Sequence, residues 1–172
     1  KKYSRKRLAI KRRLAYGLSM QEKHATFLAL GSNLPASYAS SVDLLESAIN
    51  AIAAARVRVI AASSFYRTRP LGPPQPDFVN LVLKVDTVLG ARGLLHEMQR
   101  IEAAFGRARE VRWGPRTLDI DLLSMPTGSA GPDPLLPHGG MHQRGFVLYP
   151  LSEIAPGWRH PVSGLPISQL IR

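Results

Sequence analysis

Cysteine is absent from this chain, which excludes a disulfide framework, thiolate metal sites and thiol nucleophiles, and agrees with a reducing compartment. No apolar run approaches the ~18 residues needed to cross a bilayer, so a soluble, cytoplasmic protein is expected. Neither G-x-x-x-x-G-K-S/T nor a G-x-G-x-x-G that opens a helix occurs, and no nucleophile-elbow pattern is present. A bound nucleotide would therefore be held by arginine and metal and not by a glycine loop. Acid is missing from residues 1–19, which carry eight Lys/Arg, whereas the remainder holds fifteen basic against twelve acidic residues. The net charge of +11 thus resides mostly in an amino-terminal extension. Such an extension could contact RNA or anionic lipid or act as a targeting peptide. We expect residues 1–19 to be disordered or non-native, with Met20 as the natural start and 20–172 as the functional domain.

What remains is 172 residues at 45% hydrophobic content, enough for one core and a single domain. His24–Leu30 reads as an apolar strand stopping at a Gly31-Ser32-Asn33 turn. From Ser40 to Ala55, Val42, Leu44, Leu45, Ala48, Ile49 and Ile52 recur at helical spacing. Val57–Tyr66 is a β-branched and aromatic run. Four prolines between Thr68 and Pro76 forbid regular structure and make a semi-rigid loop. Phe78–Val88 alternates as a third strand, Ala91–Phe105 is a second helix and Thr117–Leu123 a fourth strand. The order β-α-β-β-α-β predicts an α+β, ferredoxin-like antiparallel sheet with both helices on one side. Beyond the Gly/Pro-rich connection Pro126–Pro137, a C-terminal extension reads as two short apolar elements, Gly145–Ile154 and Ile167–Ile171, that close the domain edge.

The chemistry collects at Arg112–Leu123. Strand alternation points Asp119 and Asp121 to one face and Leu118, Ile120 and Leu122 to the other. Two like charges on one strand face oppose each other's ionisation unless a cation stands between them. Hard carboxylate oxygens without Cys or clustered His suit Mg²⁺, which completes its shell with water and substrate phosphates. Arg107, Arg109, Arg112 and Arg116 nearby supply planar, bidentate forks for phosphate oxygens. The plainer reading is a solvated acidic strand paired with those arginines. His138 and His142, four apart, suggest zinc only weakly.

Arg112-Trp-Gly-Pro-Arg-Thr-Leu-Asp-Ile-Asp-Leu-Leu123 resembles the signature of the 6-hydroxymethyl-7,8-dihydropterin pyrophosphokinase family. The likeness extends in family order through Leu30-Gly-Ser-Asn-Leu34, Ser63-Ser-Phe-Tyr-Arg-Thr68, Gln75-Pro-Asp-Phe-Val-Asn80, Gln99-Arg-Ile-Glu102 and Pro137-His138 to Arg144-Gly-Phe146, covering about residues 24–160. The resemblance implies transfer of pyrophosphate from ATP, the co-substrate, to the pterin hydroxymethyl group in folate synthesis. It implies Asp119 and Asp121 as ligands of two Mg²⁺, with Arg107 and Arg116 as the other catalytic residues. It further implies a pterin site of Phe78 and Phe146 around the ring, Asn80 on its edge, and backbone groups at Thr68, Arg69 and Leu71. Gln99, Glu102, Arg109, Trp113, His138 and Arg144 match ATP contacts, with Glu102 on the helix face turned toward the site. Phe78 stands where family members often carry Tyr, Gly139-Gly140 lacks a larger side chain, and Glu110-Val111 replaces basic residues.

Two readings compete. RNA-recognition modules share the βαββαβ order, and Arg144–Tyr149 faintly echoes their aromatic strand motif, although it follows the fourth strand and not the third. A two-metal phosphohydrolase would need a positioned water and no pterin pocket. We expect the pyrophosphokinase, acting as a monomer, with no nucleic acid or membrane partner for the domain.

Overall fold

A computed structural model of the chain describes residues 4–6, 25–70, 72–107, 114–127 and 133–171. The elements run β1 (Ser4–Lys6), β2 (Thr26–Ser32), α1 (Ser41–Ala54), β3 (Val57–Ala62), β4 (Phe65–Thr68), β5 (Phe78–Thr87), α2 (Ala91–Ala104), β6 (Asp119–Ser124), α3 (Gly145–Ile154) and α4 (Ile167–Leu170). The expected ferredoxin-like α+β architecture is what forms. The sheet is antiparallel throughout, in the order β1-β4-β5-β2-β6, with β3 also pairing β5. Of the amino-terminal extension, Ser4–Lys6 forms a strand on the outer edge against β4; the rest of it lies outside the described residues. Among the described residues no helix is long and apolar enough to cross a membrane.

Three local expectations are corrected. Gly31 and Ser32 continue β2 and do not turn, pairing with Asn80 and Val79 of β5. Val57–Tyr66 is two strands laid end to end along β5, broken at Ser63-Ser64. Ser63 carries the ladder across the break: its N–H donates to Val82 O (3.0 Å) and its Oγ accepts from Val82 N–H (3.0 Å). Most consequentially, Gly145–Ile154 does not close an edge but lies across the sheet as α3.

Two cores explain the last correction. Leu28, Leu30, Leu81, Leu83, Val85, Ile120 and Leu122 face α1 and α2 and pack against Leu44, Leu45, Ile52, Leu94, Met98 and Ile101. Helix α1 begins where Ser40 Oγ accepts from Asp43 N–H (3.2 Å), an N-cap, and its buried positions follow the 3.6-residue period. On the opposite face Phe27, Val82 and Leu123 are also apolar and need cover, which Val147, Leu148 and Leu151 of α3 provide together with Trp158 and Ile167. Fully burying each such side chain contributes roughly 1.5–3 kcal/mol, a gain no edge position would offer. Glu153 pins the far end of α3 to the strand break, accepting from Ser64 N–H (3.1 Å), Ser64 Oγ (2.8 Å) and the Tyr66 hydroxyl (2.9 Å). Arg144–Tyr149, the segment that invited an RNA-binding reading, is therefore the start of a helix.

Candidate active site

The second face of the sheet is not covered along its whole length. Beyond the amino-terminal turn of α3 it turns polar, and a cavity of about 260 Å³ opens there. Its floor is one row of the sheet, in which Gly31 of β2 pairs with Asn80 of β5 on one side and with Asp119 of β6 on the other. Neighbouring strands lie about 4.8 Å apart, so the amide and the carboxylate stand roughly 10 Å apart across a residue without a side chain. A Cβ on Gly31 would fall 2.8 Å from Asn80 Oδ1, and the cavity would be split. Sequence reading treated Gly31 as a turn residue. The available signal was a glycine following a run of strand formers, which often marks close approach of another group.

At one end of the row stand Phe78, Asn80 and Thr68, with Arg69 and Pro70 extending the wall from the end of β4, and Phe146 entering from the first turn of α3. Asn80 Nδ2 donates to Thr68 Oγ1 (2.8 Å). At the other end are Asp119, Asp121, Arg116, His138 and Arg144, beside Gly114. Asp119 accepts from two guanidinium groups, Arg107 Nη2 on Oδ1 (2.6 Å) and Arg116 Nη1 on Oδ2 (2.5 Å). Arg144 Nη1 lies 3.5 Å from Asp121 Oδ2, and its guanidinium carbon sits 5.8 Å from the Phe146 ring centre. Burial, and then the charge of Asp119, pushes the Asp121 carboxyl above the usual carboxylate range. His138 Nδ1 accepts from Gly140 N–H (3.3 Å), which leaves Nε2 as the ring nitrogen able to donate.

Support comes from residues outside the cavity wall. Glu102, expected to face the site, is 2% exposed and does not line it. Its Oε1 accepts from Ile120 N–H (2.6 Å) on the outer strand of the sheet and pairs with Arg107. Burial raises the Glu102 carboxyl, opposed by that N–H and by Arg107. Arg107 in turn bridges Glu102 and Asp119 and does not line the cavity. Gln99 is exposed on α2, one turn before Glu102 and away from the cavity lining. Asn33, expected in a turn and given no role at the site from sequence, joins the two ends: Oδ1 accepts from Arg116 N–H (2.8 Å), while Nδ2 donates to Gln75 Oε1 and Pro76 O (both 3.0 Å). Leu71, Arg109 and Trp113 lie outside the described residues. His142 packs edge-on against His160 (5.6 Å between centres), and among the described residues no group of three or more His, Cys, Asp or Glu could hold a metal. The zinc suggestion therefore has no third ligand here.

The family model described as 7,8-dihydro-6-hydroxymethylpterin-pyrophosphokinase matches residues 27–156. The chain is similar to the 2-amino-4-hydroxy-6-hydroxymethyldihydropteridine pyrophosphokinase of Haemophilus influenzae, 43% identical over 149 residues, covering 85% of this chain and 90% of that protein. Its counterpart from Synechocystis sp. is 42% identical over 153 residues, covering 88% of this chain and 76% of that protein. In fold it resembles the crystal structure of Plasmodium falciparum HPPK-DHPS, with a TM-score of 0.64 at 15% identity over 86% of this chain and 44% of that one.

Proposed function

Because the chain belongs to the 7,8-dihydro-6-hydroxymethylpterin-pyrophosphokinase family, we propose that this cavity seats hydroxymethyldihydropterin at its amide end and the ATP polyphosphate at its acid end. The activity is pyrophosphoryl transfer from ATP to hydroxymethyldihydropterin in folate biosynthesis, EC 2.7.6.3. The observation that supports the placement is the row Asn80–Gly31–Asp119, in which an amide and a carboxylate share one floor on either side of a residue without a side chain.

Phe78 and Phe146 offer flat faces to a bicyclic ring, and Asn80 with Thr68 offers an amide and a hydroxyl to its polar edge. Arg116, Arg144 and the Nε2 proton of His138 are donors for phosphate oxygens. The donor set fits Mg²⁺: two carboxylates share a face, and the Asp121 carboxyl is pushed up by burial and by its neighbour, a strain that a dication relieves. Asp119 and Asp121 would hold the ions, their remaining coordination left to water and phosphate. When bound, Mg²⁺ would neutralise phosphate charge and make the pterin hydroxyl easier to ionise.

The substrate hydroxyl oxygen forms a bond to the β-phosphorus of ATP as the bond from that phosphorus to the α-phosphate oxygen breaks. AMP leaves, the pterin keeps the pyrophosphoryl group, and the hydroxyl proton passes to solvent. In such a transfer the protein mainly positions groups and offsets charge. Arg107 pairs with Glu102 and Asp119, and Arg116 with Asp119; both guanidinium groups would serve phosphate oxygens when substrate is bound. The enzyme acts as a cytoplasmic monomer on two small soluble substrates. Supplying ATP and hydroxymethyldihydropterin and identifying the nucleotide product tests the reading. AMP formed only in the presence of the pterin is expected; ADP, or phosphate released without pterin, refutes it.

A further inference from the structure

Backbone pairing fixes the spacing of a sheet only as far as its strands run, and beyond their ends the flanking loops need another tie. We propose that Asn33 is a positioning residue that supplies it just past the cavity floor. Its one amide joins the segment entering β5 to the segment entering β6, and so sets the gap across which the pyrophosphoryl group moves. The proposal rests on the pyrophosphokinase reading and concerns the transfer step, not the recognition of either substrate.

Three observations carry it. β2 lies between β5 and β6 and ends at Ser32, so Asn33 is the first residue past the strand with a neighbour on either side. Asn33 is 3% exposed and uses both ends of its side chain. Oδ1 accepts from Arg116 N–H (2.8 Å) on the approach to Asp119, and Nδ2 donates to Gln75 Oε1 and Pro76 O (both 3.0 Å) on the approach to Phe78. Backbone closes one side of the same junction, where Asn33 N–H and Leu34 N–H both donate to Arg116 O (3.1 Å each).

The amide has one orientation. A backbone N–H only donates and a carbonyl only accepts, so turning the group over would set donor against donor at Arg116 and acceptor against acceptor at Pro76. Asn33 does not itself line the cavity. What it fixes is the relation between the ring wall, which runs from Arg69 to Phe78, and the phosphate wall, which runs from Arg116 to Asp121. Transfer needs the hydroxyl oxygen in line with the β-phosphorus, and a misplacement of about 1 Å can cost on the order of 10²-fold with both partners bound. Loss of Asn33 therefore falls on the rate of transfer and spares the affinities. A brace that only stabilised the fold would do the reverse, lowering Tm and leaving the rate per folded molecule unchanged.

The test uses the full chain as wild type, Asn33→Ala and Asn33→Asp. Rapid-quench single turnovers with saturating MgATP and enzyme in excess over 6-hydroxymethyl-7,8-dihydropterin read the formation of AMP, which separates transfer from product release. Affinity for nucleotide is measured with α,β-methylene-ATP, and affinity for the pterin in its presence. Hydrogen exchange of the Arg116 N–H, followed by NMR, reports whether the Oδ1 arm is in place. Asn33→Ala is expected to slow transfer about 30-fold with both dissociation constants within about 3-fold, and to speed exchange at Arg116 at least about 10-fold. Asn33→Asp keeps an oxygen for Arg116 N–H but turns a second acceptor on the Pro76 carbonyl. It is expected to leave Arg116 protected and still slow transfer about 10-fold, because one arm alone does not hold the gap. Asn33→Leu, which keeps the bulk and lacks both arms, provides the same comparison should the alanine variant not fold. A transfer rate within about 3-fold of wild type in any of these variants, or a loss carried by the dissociation constants with the transfer rate kept, overturns the proposal alone. So does an Arg116 N–H that exchanges no faster in the variants without the Oδ1 arm. A wild type that forms no AMP overturns the pyrophosphokinase reading and the proposal with it, and that result is visible before any variant is compared.

Discussion

The two faces of the sheet are built from the same six strands but do different work. Under α1 and α2 the middle of the face is apolar, with Leu28, Leu30, Leu81 and Leu83 fully or almost fully buried. Under α3 the cover stops short, and the same strands that bury Phe27, Val82 and Leu123 present Asn80, Gly31, Asp119 and Asp121 to the cavity a few residues farther on. A site made this way borrows its rigidity from the buried side. Ile120 and Leu122 hold β6 down from one face while Asp119 and Asp121 stand up from the other.

That contrast can be broken from either face. Asp119→Ala should lower kcat by at least about 10³-fold, since it removes a carboxylate that orders phosphate charge, while circular dichroism and the melting profile stay close to those of the wild type. Turnover within tenfold of wild type would show that the acid pair is not the metal end. Leu81→Ala should do the reverse. Its cavity in the first core costs about 2–5 kcal/mol, read as a fall of roughly 5–15 °C in Tm, with KM for both substrates unchanged in the cold. A shifted KM would mean that the two faces are less independent than their packing implies. Gly31→Ala tests the floor itself: a methyl group against Asn80 Oδ1 should raise KM for the pterin about 10-fold, a loss of roughly 1.4 kcal/mol, with a smaller effect on KM for ATP. Equal effects on both substrates would place the damage in the strand and not in the ring subsite.

Much of this was legible in advance because it is written at short range. The alternation in Leu118–Leu122 and Phe78–Val85 assigns each side chain to a face before any partner is known, and the apolar spacing in α1 and α2 shows which side of each helix is buried. Asp119, Asp121, Phe78, Asn80 and Phe146 could be singled out by chemistry and motif, and the fold brings all five to one cavity. What escaped depended on distant segments. Whether Gly145–Ile154 closes an edge or spans a face depends on the apolar residues of β2, β5 and β6 that it covers, none of them near it in sequence.

By itself, then, the sequence determined the faces of the strands, the two helices of the first layer, the acid pair and the family to which the chain belongs. These follow from local periodicity and from side-chain chemistry that survives in any context. Only the tertiary structure decided that Glu102 turns beneath β6 to accept the Ile120 N–H, that Gly31 is a floor and not a turn, and that Thr68 takes one end of the Asn80 amide. Each of those outcomes satisfies a buried polar group or an empty space that exists only after remote strands have been brought side by side, and no local pattern specifies that neighbour in advance.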